Sequence, residues 1–314
     1  MLRYGILSTS SIVERVLNAI NMVKDQEVLA IASRDLFKAK SFAHKHHIKR
    51  YYGSYDTLLE DKDIDIVYIP LINTLHYEYA KKAILKKKHV ILEKPFTLKA
   101  KEAKELFDLA YKNKVFLMES MKTSFMPVIR RVKKLLEEDV IGKVKYVRFE
   151  RGSINAFEKG HWMLDGEYGG GAFLGNGPYV LAICYYLFGK LDQNAVYKVV
   201  ENENGADMLL SFLMKIDDVV VNSTVTLNVE VNDEMVIYGE KGKIVVPNHW
   251  RPKKLFVYDR EKLIDTYEDN NPNEFIYEFT YIKKCIDKGM LVSNIVTPKQ
   301  TIEITKLMEK IKGA

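Results

Sequence analysis

Through the first 120 residues, short apolar runs alternate with stretches whose apolar positions recur every three to four residues. The runs at 3–7, 27–33, 64–70, 89–93 and 115–119 have the length and continuity of strands buried on both faces of a parallel sheet. Helical periodicity between them predicts helices at about 12–23, 36–46, 76–86 and 100–113. Strands alternating with helices imply an α/β domain with helices on both sheet faces.

After Ser120 the pattern changes. A helix is predicted at 128–138, followed by long strands at 143–151, 206–215, 219–226 and 233–240. The short turn at 216–218 and the Gly-bearing turn within 238–243 join consecutive strands, which makes this sheet largely antiparallel. The expected division is therefore 1–120, a dinucleotide-binding domain, and 121–314, an α+β domain on a large open-faced sheet, the last helix free to pack back onto the first domain. One face of that sheet needs cover, from a helix or from a second subunit. Inside this half, Gly169, Gly170 and Gly171 break the chain, and 179–188 reads as an almost wholly apolar, buried helix.

Composition narrows the class. The chain has 314 residues, 47% hydrophobic and 29% charged, ordinary values for a globular protein of two domains. No apolar run approaches the ~20 residues of a membrane span, and the start reads as a strand, so neither a membrane anchor nor a secretory peptide is expected. Two distant cysteines, Cys184 and Cys285, suggest neither a metal site nor a disulfide framework and fit a reducing cytoplasm. The net charge of +6 is dispersed, and the lysines between Lys81 and Lys88 read as a solvated helix face, not a nucleic-acid patch.

Candidate chemistry lies where strands end, because open parallel sheets hold ligands outside their carboxyl ends. The first such turn, Ser8, Thr9, Ser10, Ser11 and Ile12, stands where a dinucleotide pyrophosphate meets a helix N-terminus, with serines in place of the usual glycines. A plain Ser/Thr cap on an ordinary helix accounts for it equally well. Ser33 and Arg34 at the second strand's tip favour the 2′-phosphate of NADP, while Asp35 keeps NAD as the alternative. Pro70, Leu71, Asn73 and His76 follow the next strand and are candidate cofactor contacts, although Asn73 also suits a helix cap and His76 equally suits a packed place at the helix start. The strand at 89–93 stops abruptly at Glu93, Lys94 and Pro95, which aims a lysine at whatever the sheet holds and makes Glu93 a further candidate cofactor contact.

The Glu93-Lys94-Pro95 element, Asn73 with His76, the GGGAF turn into a Tyr-bearing helix and the hairpin at 237–247 followed by His249 and Trp250 together resemble the Gfo/Idh/MocA oxidoreductases. Ser33-Arg34-Asp35 and the segment 54–61 resemble the branch that holds trans-dihydrodiol dehydrogenases and NADP-linked xylose dehydrogenases. The resemblance runs from Tyr4 to Met308. It implies a Rossmann domain, a homodimer or homotetramer formed through the open sheet, and hydride transfer between a nicotinamide and a carbon of a sugar, polyol or nucleotide-linked sugar. It also makes Lys94 a contact of substrate and cofactor, and Tyr179 the acid–base residue. An ammonium near a phenol lowers its pKa from ~10 toward working pH. Glu119, Trp162 and Asn176 are further substrate-binding candidates. Four positions depart from the family pattern: Gly175 replaces an Asp, Ser8 and Ser10 replace glycines, Ile72 replaces a Pro, and no Arg stands near Ser124. These departures leave a regulatory, cofactor-binding protein with a degraded site as the alternative function.

Overall fold

The computed structural model describes residues 1–154 and 157–313. In chain order the elements are β1 (Leu2–Leu7), α1 (Ser11–Met22), β2 (Gln26–Ala32), α2 (Leu36–Lys45), β3 (Arg50–Tyr52), α3 (Tyr55–Leu59), β4 (Ile66–Ile69), α4 (His76–Leu85), β5 (His89–Glu93), α5 (Ala100–Asn113) and β6 (Leu117–Ser120). There follow α6 (Pro127–Glu137), β7 (Val144–Gly152), α7 (Ala172–Phe188), β8 (Val196–Glu201), β9 (Asp207–Ile216), β10 (Val219–Thr226), β11 (Glu234–Gly239), β12 (Gly242–Pro247), β13 (Lys254–Asp259), β14 (Lys262–Glu268), α8 (Ile276–Asp287) and α9 (Pro298–Lys312). They form two compact units: Met1–Ser120 with Asn273–Thr305, and Met121–Pro272 with the chain from Lys306 onward.

In the first unit six parallel strands run in the order β3-β2-β1-β4-β5-β6, the doubly wound arrangement expected of the periodicity. The reversal of strand order falls between β1 and β4, so the carboxyl ends of those strands frame the ligand crevice. Tyr4, Ile6 and Leu7 of β1 are fully buried. Gly5 sits among them because a Cβ there would fall 2.7 Å from Leu58 of α3, too close for any side chain. Strand β3 and helix α3 escape the sequence pattern: Arg50, Tyr51 and Tyr52 are half-buried and polar-ended, with no apolar run to mark them. Helix α8 closes this unit from the far end of the chain. Its Phe279 ring meets Tyr4 and Tyr68 edge-on at 5.8 and 6.1 Å.

The second unit carries an eight-stranded sheet, β14-β13-β12-β11-β7-β10-β9-β8, antiparallel except where β10 runs parallel to β7. The mostly antiparallel open sheet expected of this half is therefore present. Helix α7 packs on β7, β9 and β10, its apolar residues Phe173, Val180, Leu181 and Cys184 buried. It begins seven residues before the apolar run at 179–188 and carries Pro178 inside it. The two cysteines are free and buried. Among the described residues no helix is long and apolar enough to cross a membrane.

Candidate functional site

Within the first unit, β1 delivers the serine turn. The Ser8 hydroxyl accepts from Ser10 N at 3.0 Å and so tightens the loop locally. Ser10 stands at the helix N-cap in extended conformation but makes no side-chain capping bond to α1, so the plain cap is not what its hydroxyl does. Thr9 and Ile12 are half-buried, and Ser11 is exposed. At the end of β2 the buried Ser33 accepts from Asp35 N at 3.2 Å. Asp35 itself caps α2, accepting from Phe37 N at 2.8 Å and Lys38 N at 3.2 Å. One oxygen of the Asp35 carboxylate is thus engaged by the helix start. Arg34 is exposed and forms no ion pair among the described residues. Its guanidinium lies beside the Tyr55 hydroxyl, where it partly offsets the burial that raises that phenol's pKa.

The loop after β5 is held by three buried side chains. Glu93 accepts from the Tyr68 hydroxyl at 2.6 Å and from Lys94 N at 3.1 Å. Glu119, opposite Leu92 in the sheet register, accepts from Phe96 N at 3.2 Å and from the Thr301 hydroxyl at 2.9 Å. Burial pushes its carboxyl up to about 7, against the pull of those two hydrogen bonds and of Lys94, and Glu93 adds to the rise. His76 puts Nδ1 2.8 Å from Pro95 O and Nε2 3.0 Å from Leu71 O, tying the loops after β4 and β5 together. Burial outweighs both carbonyls and lowers its pKa. A neutral ring can donate through only one nitrogen, so one of the two carbonyls meets a ring nitrogen without a proton. Lys94 is half-buried, joined to Pro95 by a cis peptide. Pro70 and Asn73 are buried, and Asn73 opens a 3-10 turn before α4.

His76, read as a ligand contact or a packed helix-start histidine, and Glu119, read as a substrate contact, are 0% and 2% exposed, and their polar atoms meet loop backbone and Thr301. They shape the loop that carries Lys94. Thr301 and Tyr68, which complete the cradle, carry no mark in the sequence.

In the second unit, the glycine turn and Asp207 set the start of α7. Gly171 has φ +115°, and a Cβ there would lie 2.1 Å from Asp207 Oδ1. Asp207 accepts from Phe173 N at 2.6 Å and from the Lys312 ammonium at 3.0 Å. Trp162, half-buried, opens a 3-10 turn ending at Leu164. This turn is tied to the glycines by Gly170 N donating to Asp165 O and Gly171 N to Met163 O, each at 2.9 Å. The Met163 methyl lies 3.0 Å from where a Gly175 Cβ would stand, so a thioether fills the space beside the position where the family carries an Asp. On α7, Asn176 is half-buried and Tyr179 is 7% exposed. The Tyr179 ring lies 6.1 Å from that of Trp250. Lys122, in the 3-10 turn Lys122–Phe125 and 2% exposed, sets its ammonium 5.4 Å from the Tyr179 ring centre and 4.8 Å from that of Trp250. Sequence reading missed Lys122, because nothing local distinguishes it from other lysines. Trp162, Asn176 and Tyr179 thus share one unit, and the serine turn, Arg34 and Lys94 share the other.

Comparison with known proteins closes the question of kinship. Residues 2–121 match the profile described as the Gfo/Idh/MocA oxidoreductase family, NAD-binding Rossmann fold, and residues 129–245 match that family's C-terminal domain. A trans-1,2-dihydrobenzene-1,2-diol dehydrogenase of Xenopus tropicalis is 30% identical over 321 residues, covering 98% of this chain and 96% of the relative. The chain belongs to the Gfo/Idh/MocA oxidoreductase family. The human enzyme of the same name is 28% identical over 326 residues, covering all of this chain and 96% of its own. Among solved structures, a 3-ketoreductase from Actinomadura kijaniata in complex with NADP and TDP-benzene superposes with a TM-score of 0.88 at 22% identity, over 98% of this chain and 95% of that one. An aldose-aldose oxidoreductase from Caulobacter crescentus, complexed with glycerol, gives 0.87 at 21%, over 99% and 96%. This family member is accordingly an NAD(P)-dependent oxidoreductase, and its first unit is the NAD-binding Rossmann domain.

Proposed function

We propose that the chain transfers hydride between NADP and a carbinol or carbonyl carbon of a sugar, polyol or nucleotide-linked sugar. The observation that carries the reading is the cradle of Glu93, Glu119 and His76, which commits three buried polar side chains to fixing the backbone around Lys94. A loop so constrained at the carboxyl end of a Rossmann strand suits a residue that must meet substrate in one geometry. The serine turn with its uncapped helix start and the exposed Arg34 fit a dinucleotide phosphate and an adenosine 2′-phosphate. When bound, the nicotinamide supplies the hydride acceptor or donor. Tyr179 then takes the substrate hydroxyl proton in oxidation and returns it in reduction, Lys94 orients the substrate oxygen, and Trp162 and Asn176 line the sugar.

Lys94→Ala and Tyr179→Phe should each reduce kcat by at least ~100-fold on D-xylose or a trans-dihydrodiol, the size of general acid–base catalysis, with NADPH affinity preserved in a fluorescence titration. Wild-type turnover by either variant would remove that residue from the chemistry. For the cofactor, Arg34→Ala should weaken NADPH by about 1.5 to 3 kcal/mol and leave NADH nearly unchanged. Equal weakening of both would mean that Arg34 does not read the 2′-phosphate.

Association through the second sheet is part of the proposal. Val196, Tyr197, Val199 and Val200 of β8, with Leu213, Leu263 and Ile264, leave apolar side chains exposed on strands of that sheet, and a homodimer or homotetramer would cover them. Two free buried thiols suit a cytoplasmic setting.

A further inference from the structure

We propose that Lys122 sets the acidity of the Tyr179 phenol and is thereby a positioning residue for proton transfer; this rests on Tyr179 being the acid–base group. Lys122 is 2% exposed, and its ammonium lies between two aromatic faces, 5.4 Å from the Tyr179 ring centre and 4.8 Å from that of Trp250. A desolvated cation over π faces is attracted to them, and a cation this close to a phenol favours its ionised form. The placement is fixed from both sides. The Thr123 hydroxyl donates to Trp250 O at 3.2 Å, and the turn Lys122–Phe125 packs directly on α7.

The other charged groups around this cluster are largely compensated. Arg151, over the Trp250 ring at 4.6 Å, is paired with Asp233 at 2.7 Å. Arg251, at 4.4 Å from that ring, is exposed to solvent. His249 is held neutral by burial, its pKa lowered to about 3. Asp207, at the start of α7, is matched by Lys312. Within this unit, Lys122 is a buried cation placed to act on the phenol.

The test is an ultraviolet difference titration of tyrosinate, each protein minus its Tyr179→Phe counterpart, which needs no substrate. Lys122→Met and Lys122→Gln keep most of the length of the side chain and remove the charge, and each should move the Tyr179 midpoint upward by roughly 1 to 2 pH units. Lys122→Arg should bring it back near the wild-type value. A purely structural role would lower the melting temperature in the neutral variants and leave the midpoint in place, and that result overturns the proposal. Turnover of D-xylose or a trans-dihydrodiol by Tyr179→Phe at the wild-type rate would instead remove the reading of Tyr179 on which it rests.

Discussion

Glu119 binds its proton more tightly folded than unfolded, because burial raises its pKa to about 7. Its contribution to stability is full at pH values below the ordinary carboxylate range and is lost as pH rises through about 7. A shift of this size is worth roughly 3 kcal/mol. Stability of the wild type against urea should therefore fall between pH 5 and pH 8, and Glu119→Gln should flatten that slope; an unchanged slope would mean Glu119 is ionised in the fold. Legibility at this scale is uneven. Lys94 and Tyr179 could be proposed because their motifs are local. For Glu119 and His76 the positions were legible and the hydrogen-bond partners were not, since a side chain at a strand end can point outward or back into the loop, and sequence does not record which. Lys122, Asp207 and Thr301 act through partners 57, 105 and 182 residues away, so no window along the chain contains both ends of the interaction.

Among elements, α7 shows how a helix can be placed by one buried carboxylate. Asp207 is 0% exposed and satisfies both the Phe173 amide and the Lys312 ammonium. Asp207→Ala would leave the Phe173 amide without its acceptor and take the nearer carboxylate from Lys312, which keeps Glu201 at 3.6 Å, at a cost of about 1 to 3 kcal/mol. Thermal denaturation should show that loss, and Asp207→Asn should recover part of it by keeping the bond to Phe173. The helix starts earlier than its apolar run suggests because Gly171 provides the left-handed turn and the first helical residues are small or apolar. Pro178, which reads as a helix boundary, is accommodated seven residues in. By contrast β5 and α5 lie where periodicity put them, since each is a clean apolar run or stripe with polar flanks. Strand β8, every residue of it exposed, offers no burial pattern to read.

For the whole molecule, the first 120 residues do not make the first unit by themselves. Asn273 to Thr305 return to it: Glu278 accepts from the Ser120 hydroxyl at 3.1 Å, Leu117 N donates to Leu291 O at 3.1 Å, and Thr301 completes the Glu119 site. A fragment of residues 1–120 should accordingly fail to give a cooperative thermal transition, and adding 273–305 through a short linker should restore one. A cooperative transition in the short fragment would show that the returning segment is dispensable. The fold class and the change of character after Ser120 were legible from periodicity alone. That α8 joins the last helix in this return was not, because α8 is an ordinary amphipathic helix whose partner face cannot be known in advance.

That interleaving bears on how the protein is made. Domains usually fold in order as they leave the ribosome, but here the sheet that receives the dinucleotide must wait, its Tyr4 and Tyr68 lacking Phe279, until residue 305 has been synthesised. In the folded chain the late segment covers apolar surface that the nascent chain carries without it through that interval. Slow translation across the intervening sheet would prolong the interval, and chaperone demand should rise with it.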